Sequence, residues 1–198
     1  MTEPIAFLNG QTVPLSQAAV SVTDLGVVAG ASITEMIRTF QRTPFRLSNH
    51  LDRLFASLEL CEFPTRVDRQ SLETNLLKVV EHNAALIPAT HDLGIIIFVT
   101  AGQNLTYLGA ACREAASQGT VCVHTFSLPF ELWARKQTDG QHLASVNVLP
   151  LPCEAVPPQA KHRNRLHWLR ADKEASSQFP TASALLATSD GRITETGS

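Results

Sequence analysis

The stretch FRLSNHLDRLFASLE, residues 45–59, reads as a helix and fixes the reading of what precedes it. Leu51, Leu54, Phe55, Leu58 and then Cys61 recur at helical spacing and form one apolar face, while Asp52, Arg53 and Glu59 lie on the others. Ser48 has the chemistry of an N-cap. Upstream, Thr34 to Phe40 alternates: Thr34, Met36, Arg38 and Phe40 face one way, Glu35, Ile37 and Thr39 the other. That period of two predicts a strand with two unlike faces, turned by Gln41–Thr43 into Pro44–Leu47. Earlier still, Ile5–Leu8 and Gln11–Pro14 flank Asn9-Gly10, the pattern of a tight hairpin. Between these elements, Val20–Val28 is apolar with breaks at Asp24 and Gly26.

Downstream, a second helix is predicted from near Asp68 to about Asn83, and Leu93–Thr100 is a continuous apolar run suited to the inside of a sheet. Residues 102–119 carry little signal. Val121–Phe126 and Val146–Leu151 read as strands. Pro150, Pro152, Pro157 and Pro158 exclude a helix interior or central strand and make a constrained approach to a helix over Asn164–Gln178. For Asn164 a helix-start cap is the favoured reading. Ala184–Thr188, a turn at Ser189-Asp190-Gly191 and Arg192–Thr196 form a hairpin. The order predicts an α+β fold: a first domain over 1–127, a linker over 128–138 and a second domain over 139–198.

Composition excludes several classes. With 44% hydrophobic and 17% charged residues, a chain of 198 can bury a core without disulfides. A net charge of −2 gives no global field for nucleic acid or an anionic membrane. Cys61, Cys112, Cys122 and Cys153 are scattered, without a C-x-x-C pair, and read as reduced, packed thiols. The N-terminal MTEPIAFLNG lacks a basic region followed by an apolar stretch, so no signal peptide is expected. The run 93–100 is too short to span a bilayer. A cytoplasmic protein is the default.

Three residues draw attention for chemistry. Lys161, in PPQAKHRNRLHW, has His162, Arg163 and Arg165 beside it, and this positive surrounding favours the neutral amine needed to form a Schiff base. Read alone, its first reading is a solvated basic residue at a helix start. Glu195 reads alone as an exposed strand carboxylate, and Arg53 as a surface arginine pairing with Asp52 or Glu59. No metal site is expected: His162 and His167 are five apart, and Cys122 with His124 finds no third ligand at sensible spacing. Phosphate-loop, dinucleotide and nucleophile-elbow motifs are absent.

Together these signals form a pattern. FLNGQTVP, AAVSVTDLGVVAGASITEMIR and FRLSNHLDRLFASLE, followed by QAKHRNRL and GRITETGS, resemble in order the class IV pyridoxal-phosphate aminotransferases. That fold-type-IV class includes branched-chain and D-amino-acid aminotransferases and aminodeoxychorismate lyase. The resemblance implies that Lys161 carries pyridoxal 5'-phosphate as a Schiff base and then moves a proton between the substrate's Cα and the cofactor's C4′. It implies that Glu195 keeps the pyridine nitrogen protonated, that Arg53 pairs with the cofactor phosphate, and that Ser198 begins a second phosphate contact. Thr34, Glu35 and Arg38 would line the substrate pocket or brace its walls, Glu35 and Arg38 by pairing with each other or with neighbours. An amino acid and a 2-oxo acid are the implied substrates and a homodimer the implied assembly, with no nucleic acid or membrane partner.

Departures bear on specificity. Thr34 stands where branched-chain enzymes carry an aromatic residue. LGIIIFVTAGQN lacks an arginine that several members use for a substrate carboxylate, with Gly94 and Ala101 at the nearest positions. Arg165 lies near the position of a tyrosine that follows the lysine in branched-chain enzymes. The sequence ends at Ser198, where the family would continue, so an incomplete second domain is expected. Transamination is the main reading. The K-H-x-N-R-L segment is close to the lyase branch, which would release pyruvate through the same lysine. A non-catalytic dimerisation or binding module is the reading from a different class.

Overall fold

A computed structural model describes residues 3–64, 67–108 and 118–197. The chain divides into two compact units: the first holds Met1–Leu128 with Gln159–Arg163, the second Pro129–Pro158 with Asn164–Ser198.

The first unit begins with strands β1 (Ile5–Leu8) and β2 (Gln11–Pro14) and a single-turn helix α1 (Leu25–Val28). Strand β3 (Ser32–Phe40), the short β4 (Thr43–Pro44) and helices α2 (Leu47–Leu60) and α3 (Arg69–Ala84) follow. Strand β5 (Leu93–Thr100), the turn of helix α4 (Leu105–Leu108) and β6 (Val121–Ser127) complete it. Six strands form one antiparallel sheet in the order β2-β1-β6-β5-β3-β4. The β1–β2 turn places Asn9 at φ 51° and Gly10 at φ 88°, the left-handed pair that a two-residue hairpin requires.

Register explains the core. Ile33, Glu35 and Ile37 stand opposite Val99, Ile97 and Ile95, which in turn oppose Val121, Val123 and Thr125. This sheet face is buried against Leu51, Leu54 and Leu58 of α2 and Leu72, Leu76 and Val79 of α3. Each such aliphatic side chain contributes about 1.5–3 kcal/mol on burial. On the opposite face lie Thr34, Met36, Arg38 and Phe40, as alternation predicts, together with Ile96, Phe98, His124 and Phe126. Gly94 serves that face, because a Cβ there would lie 2.3 Å from the Phe126 ring that crosses it.

Two buried polar side chains of the first unit, Asn83 and Asp24, each bind several partners. Asn83 of α3 accepts from the Ile5 amide and donates to the Ile5 carbonyl, both at 2.8 Å, so a side chain completes the hydrogen bonding of β1. Asp24 caps α1 through the Gly26 amide at 2.7 Å and accepts from the Thr100 and Thr120 hydroxyls at 2.9 and 2.7 Å. One cap differs from expectation. The chain enters α2 through Arg46 in a left-handed conformation, φ 49°, so the helix starts at Leu47 and Ser48 lies inside its first turn. The Ser48 hydroxyl instead accepts from Arg69 at 2.9 Å. At α3 the Asp68 carboxylate caps the Ser71 amide at 2.9 Å.

The second unit contains α5 (Phe130–Asp139), β7 (Leu143–Ser145), α6 (Leu166–Gln178), β8 (Ser183–Ala187) and β9 (Ile193–Thr196). The residues expected as a linker are thus mostly helix. β7 pairs with β8 in parallel and β8 with β9 antiparallel. Trp168, Ala171 and Ala175 of α6 pack on Ala144, Ala184 and Leu186. The strand expected over Val146–Leu151 lies earlier, at Leu143–Ser145. The ladder stops because Glu174 captures the Asn147 amide at 2.9 Å and prolines follow at 150 and 152. Helix α6 begins at Leu166 with Arg165 at the cap position, whose side chain makes no cap. Among the described residues no helix is long and apolar enough to cross a membrane.

Candidate active site

The lysine segment is held as an added edge of β3. The Thr34 amide donates to the Lys161 carbonyl at 2.8 Å and the Arg163 amide to the Ser32 carbonyl at 2.9 Å, an antiparallel bridge centred on Ile33 and His162. β4 occupies the same edge of β3 at its other end, opposite Thr39 and Phe40. Ala160 is buried in the first unit's core and anchors the segment from below. Strand alternation then puts exposed Lys161 and Arg163 on the face of Ser32 and Thr34, with His162 toward the side of Ile33.

Arg53 projects from α2 toward β3. It donates from Nε and Nη2 to the two oxygens of Glu35 at 2.5 and 2.6 Å, and His50 meets the same carboxylate at 2.9 Å. Glu35 is fully buried while the Arg53 side chain is half exposed. A forked, two-point pairing of this kind fixes the guanidinium plane. The Glu35 hydrogen bond pushes the Arg53 pKa up, against the opposing effect of burial and aided by the carboxylate's charge. The surface pairing expected for Arg53 is therefore replaced: Asp52 pairs with Arg69, and the arginine turns inward to Glu35.

Ser57, one turn beyond Arg53, links the two groups. Its hydroxyl donates to the Arg53 carbonyl at 2.8 Å, and the Lys161 amide makes a long 3.5 Å contact to the same hydroxyl. The lysine backbone thus rests on the turn of α2 that carries Arg53.

The remaining expected residues fall in distinct places. Thr34, buried, donates its hydroxyl to the Ile97 carbonyl at 2.9 Å and accepts from Arg163 Nε at 3.2 Å. Arg38 lies on the same face as Thr34 but six residues from Ser32 along β3, its guanidinium 3.9 Å over the Phe40 ring. Glu35 and Arg38 do not pair with each other, because odd and even positions of β3 face opposite ways. Glu195 belongs to the second unit, exposed on β9, and Ser198 lies outside the described residues. His50, Ser57 and Arg163 join the site without having been singled out for it in the sequence. The signal for His50 was its i, i+3 spacing to Arg53, which places both on one helix face. No group of three potential metal ligands gathers among the described residues.

A family model described as amino-transferase class IV matches residues 32–198. The chain belongs to the class IV aminotransferase family. A putative branched-chain-amino-acid aminotransferase of Methanocaldococcus jannaschii is 26% identical over 170 residues, 86% of this chain and 55% of that protein. Branched-chain-amino-acid aminotransferase-like protein 1 of Arabidopsis thaliana is 29% identical over 102 residues, covering 52% of this chain and 18% of its own length. The branched-chain amino acid aminotransferase of Escherichia coli superposes with a TM-score of 0.83 at 21% identity, covering 98% of this chain and 62% of that one. A hypothetical aminotransferase from Mycobacterium tuberculosis, solved in its PLP-bound form, gives a TM-score of 0.77 at 17% identity, with 97% and 64% covered. These likenesses establish the α+β fold of the class IV, fold-type-IV aminotransferases. The chain spans 55% of the M. jannaschii relative and 62% and 64% of the two solved chains.

Proposed function

We propose that this class IV chain binds pyridoxal 5'-phosphate through Lys161 and transfers an amino group between an amino acid and a 2-oxo acid. The observation that carries the reading is the seating of Lys161: its backbone is fixed on β3, its side chain is exposed, and it rests on the turn of α2 that holds Arg53. An aldehyde that also bears a phosphate needs an accessible amine and a fixed cation, and these residues supply both.

In this reading Lys161 holds the cofactor covalently and, once displaced by the substrate's amine, carries a proton to and from the substrate's Cα. Arg53, braced by buried Glu35, binds the phosphate, and Glu195 of β9 pairs with the pyridine nitrogen. When bound, the cofactor supplies the electron sink that makes the Cα proton removable. Thr34 and Arg38 stand on the sheet face beside the lysine and form its wall. Family membership supports a second copy of the chain as partner.

The Lys-His-x-Asn-Arg-Leu run over 161–166 favours a lyase as second reading. Incubating the full chain with cofactor and a panel of amino donors, with and without a 2-oxo acid, separates the two. A transaminase turns over only when the acceptor is present. Pyruvate release from an aminodeoxychorismate-like substrate without any acceptor contradicts transamination and assigns the lyase.

A further inference from the structure

We propose that Arg163 is the residue with which this chain holds a carboxylate of its amino-acid substrate, an inference that rests on the function proposed above. Arg163 follows Lys161 by two positions in a segment paired to β3, so both side chains rise from one face, their Cα atoms about 6–7 Å apart. An amino acid carries its amine and carboxylate on a single carbon. A lysine and an arginine at this spacing, each with a long side chain, can converge on those two groups.

The arginine is set in place by chemistry that a surface cation lacks. Its backbone amide is bound to Ser32 at 2.9 Å. Its Nε donates to the Thr34 hydroxyl at 3.2 Å, and that buried hydroxyl is fixed in turn by the Ile97 carbonyl at 2.9 Å. Anchoring through Nε orients the plane in which the terminal nitrogens lie, and those nitrogens are the ones that grip a carboxylate in parallel. A charged ligand can exchange for the neighbours they touch in the free chain.

The face has the matching charge. On this side, the positions of β3, β5 and β6 and of the lysine segment include the cations Arg38, Lys161 and Arg163, the half-buried His124, and no aspartate or glutamate. The rest are small, hydroxyl or apolar, with Ile96 and Phe98 at the centre. An anion reaching Arg163 meets no competing carboxylate from these strands, over an apolar floor that strengthens ionic hydrogen bonds. The effect of Arg163 already extends across the sheet: burial first, and then its positive charge, lower the pKa of His124.

The test is calorimetric titration of the full chain and of its Arg163→Gln and Arg163→Lys variants with pentanoate, glutarate and pentanamide, after circular dichroism has verified folding. Cofactor capture is scored separately on each protein by borohydride fixation. The expected result is carboxylate affinity at least about ten-fold weaker in Arg163→Gln, a smaller loss in Arg163→Lys, and pentanamide unaffected. Loss for pentanoate assigns Arg163 to the carboxylate beside the reacting carbon; loss confined to glutarate assigns it to a distal one. Carboxylate binding by Arg163→Gln within two-fold of wild type (roughly the margin of one weak contact), or no carboxylate binding by a wild type that captures cofactor, overturns the inference. Failure of the wild type to capture cofactor counts against the function proposed above, and the titration still decides the arginine.

Discussion

Glu35 shows how one buried carboxylate can organise a site. It lies on the helix-packed face of β3 and gathers Arg53 and His50 from consecutive turns of α2. Glu35→Gln keeps the shape but removes the charge, so Arg53 loses its fixed plane. We expect cofactor affinity to fall about ten-fold or more and stability to fall by roughly 1–3 kcal/mol, read by cofactor titration and urea unfolding. Unchanged affinity would separate Glu35 from phosphate binding. His124 gives a second prediction. Burial and the charge of Arg163 hold its pKa below the ordinary value of 6.5. A histidine depressed in the folded state stabilises the fold above its unfolded pKa, and that contribution is lost as pH falls from about 6.5 toward the folded value. NMR titration is expected to show the depressed midpoint, and Arg163→Gln to raise it. The arginine's part was hard to read in sequence because its partner, Thr34, is 129 residues away. Until the segment's register on β3 is known, Arg163 is simply a cation beside a lysine.

At the scale of elements, the turn between β3 and β4 depends on Asp92. Its carboxylate accepts from the Thr39 hydroxyl at 2.7 Å and from the Arg42 and Gln41 amides at 2.8 and 3.3 Å, while Thr39 takes the Leu93 amide at 2.8 Å. Burial raises the Asp92 pKa, but these hydrogen bonds and the charge of Arg38 outweigh it and leave the carboxyl below its usual value. A carboxyl depressed in the folded state stabilises above its unfolded pKa of about 3.9, and the contribution is lost as pH falls through the folded value. Asp92→Ala is expected to cost about 1–3 kcal/mol at neutral pH, with the difference from wild type shrinking in acid; a difference independent of pH would contradict the assignment. The β1–β2 hairpin, strands β3, β5 and β6 and helices α2 and α3 were legible because each carries its own period or turn residues, while the single turns α1 and α4 carry neither. The edges were less so. Ser48 has the right chemistry for a cap, yet a left-handed Arg46 starts α2 before it. The Val146–Leu151 run has strand composition, yet Glu174 removes the amide that the ladder would need.

Across the whole molecule, the two units differ in how much of their function the sequence could disclose. The first unit's sheet and its two packed helices follow from alternation and helical spacing. The pairing of the Lys161 segment with β3, which brings Gln159–Arg163 into the first unit and not the second domain expected for them, does not. The pairing of Arg53 with Glu35 does not, since a sequence shows neighbours on one element and not which face of α2 meets β3. Membership of the class IV aminotransferases rests on motifs in order along most of the chain, and the fold agrees with it. The proposed function depends above all on capture of the cofactor by Lys161. The most direct measurement is mass spectrometry of the full chain after incubation with pyridoxal 5'-phosphate and borohydride reduction, with Lys161→Ala alongside. The expected result is a phosphopyridoxyl mass fixed to the peptide containing Lys161 and none on the folded variant. An equal adduct on Lys161→Ala, or no adduct on the wild-type chain, would contradict it.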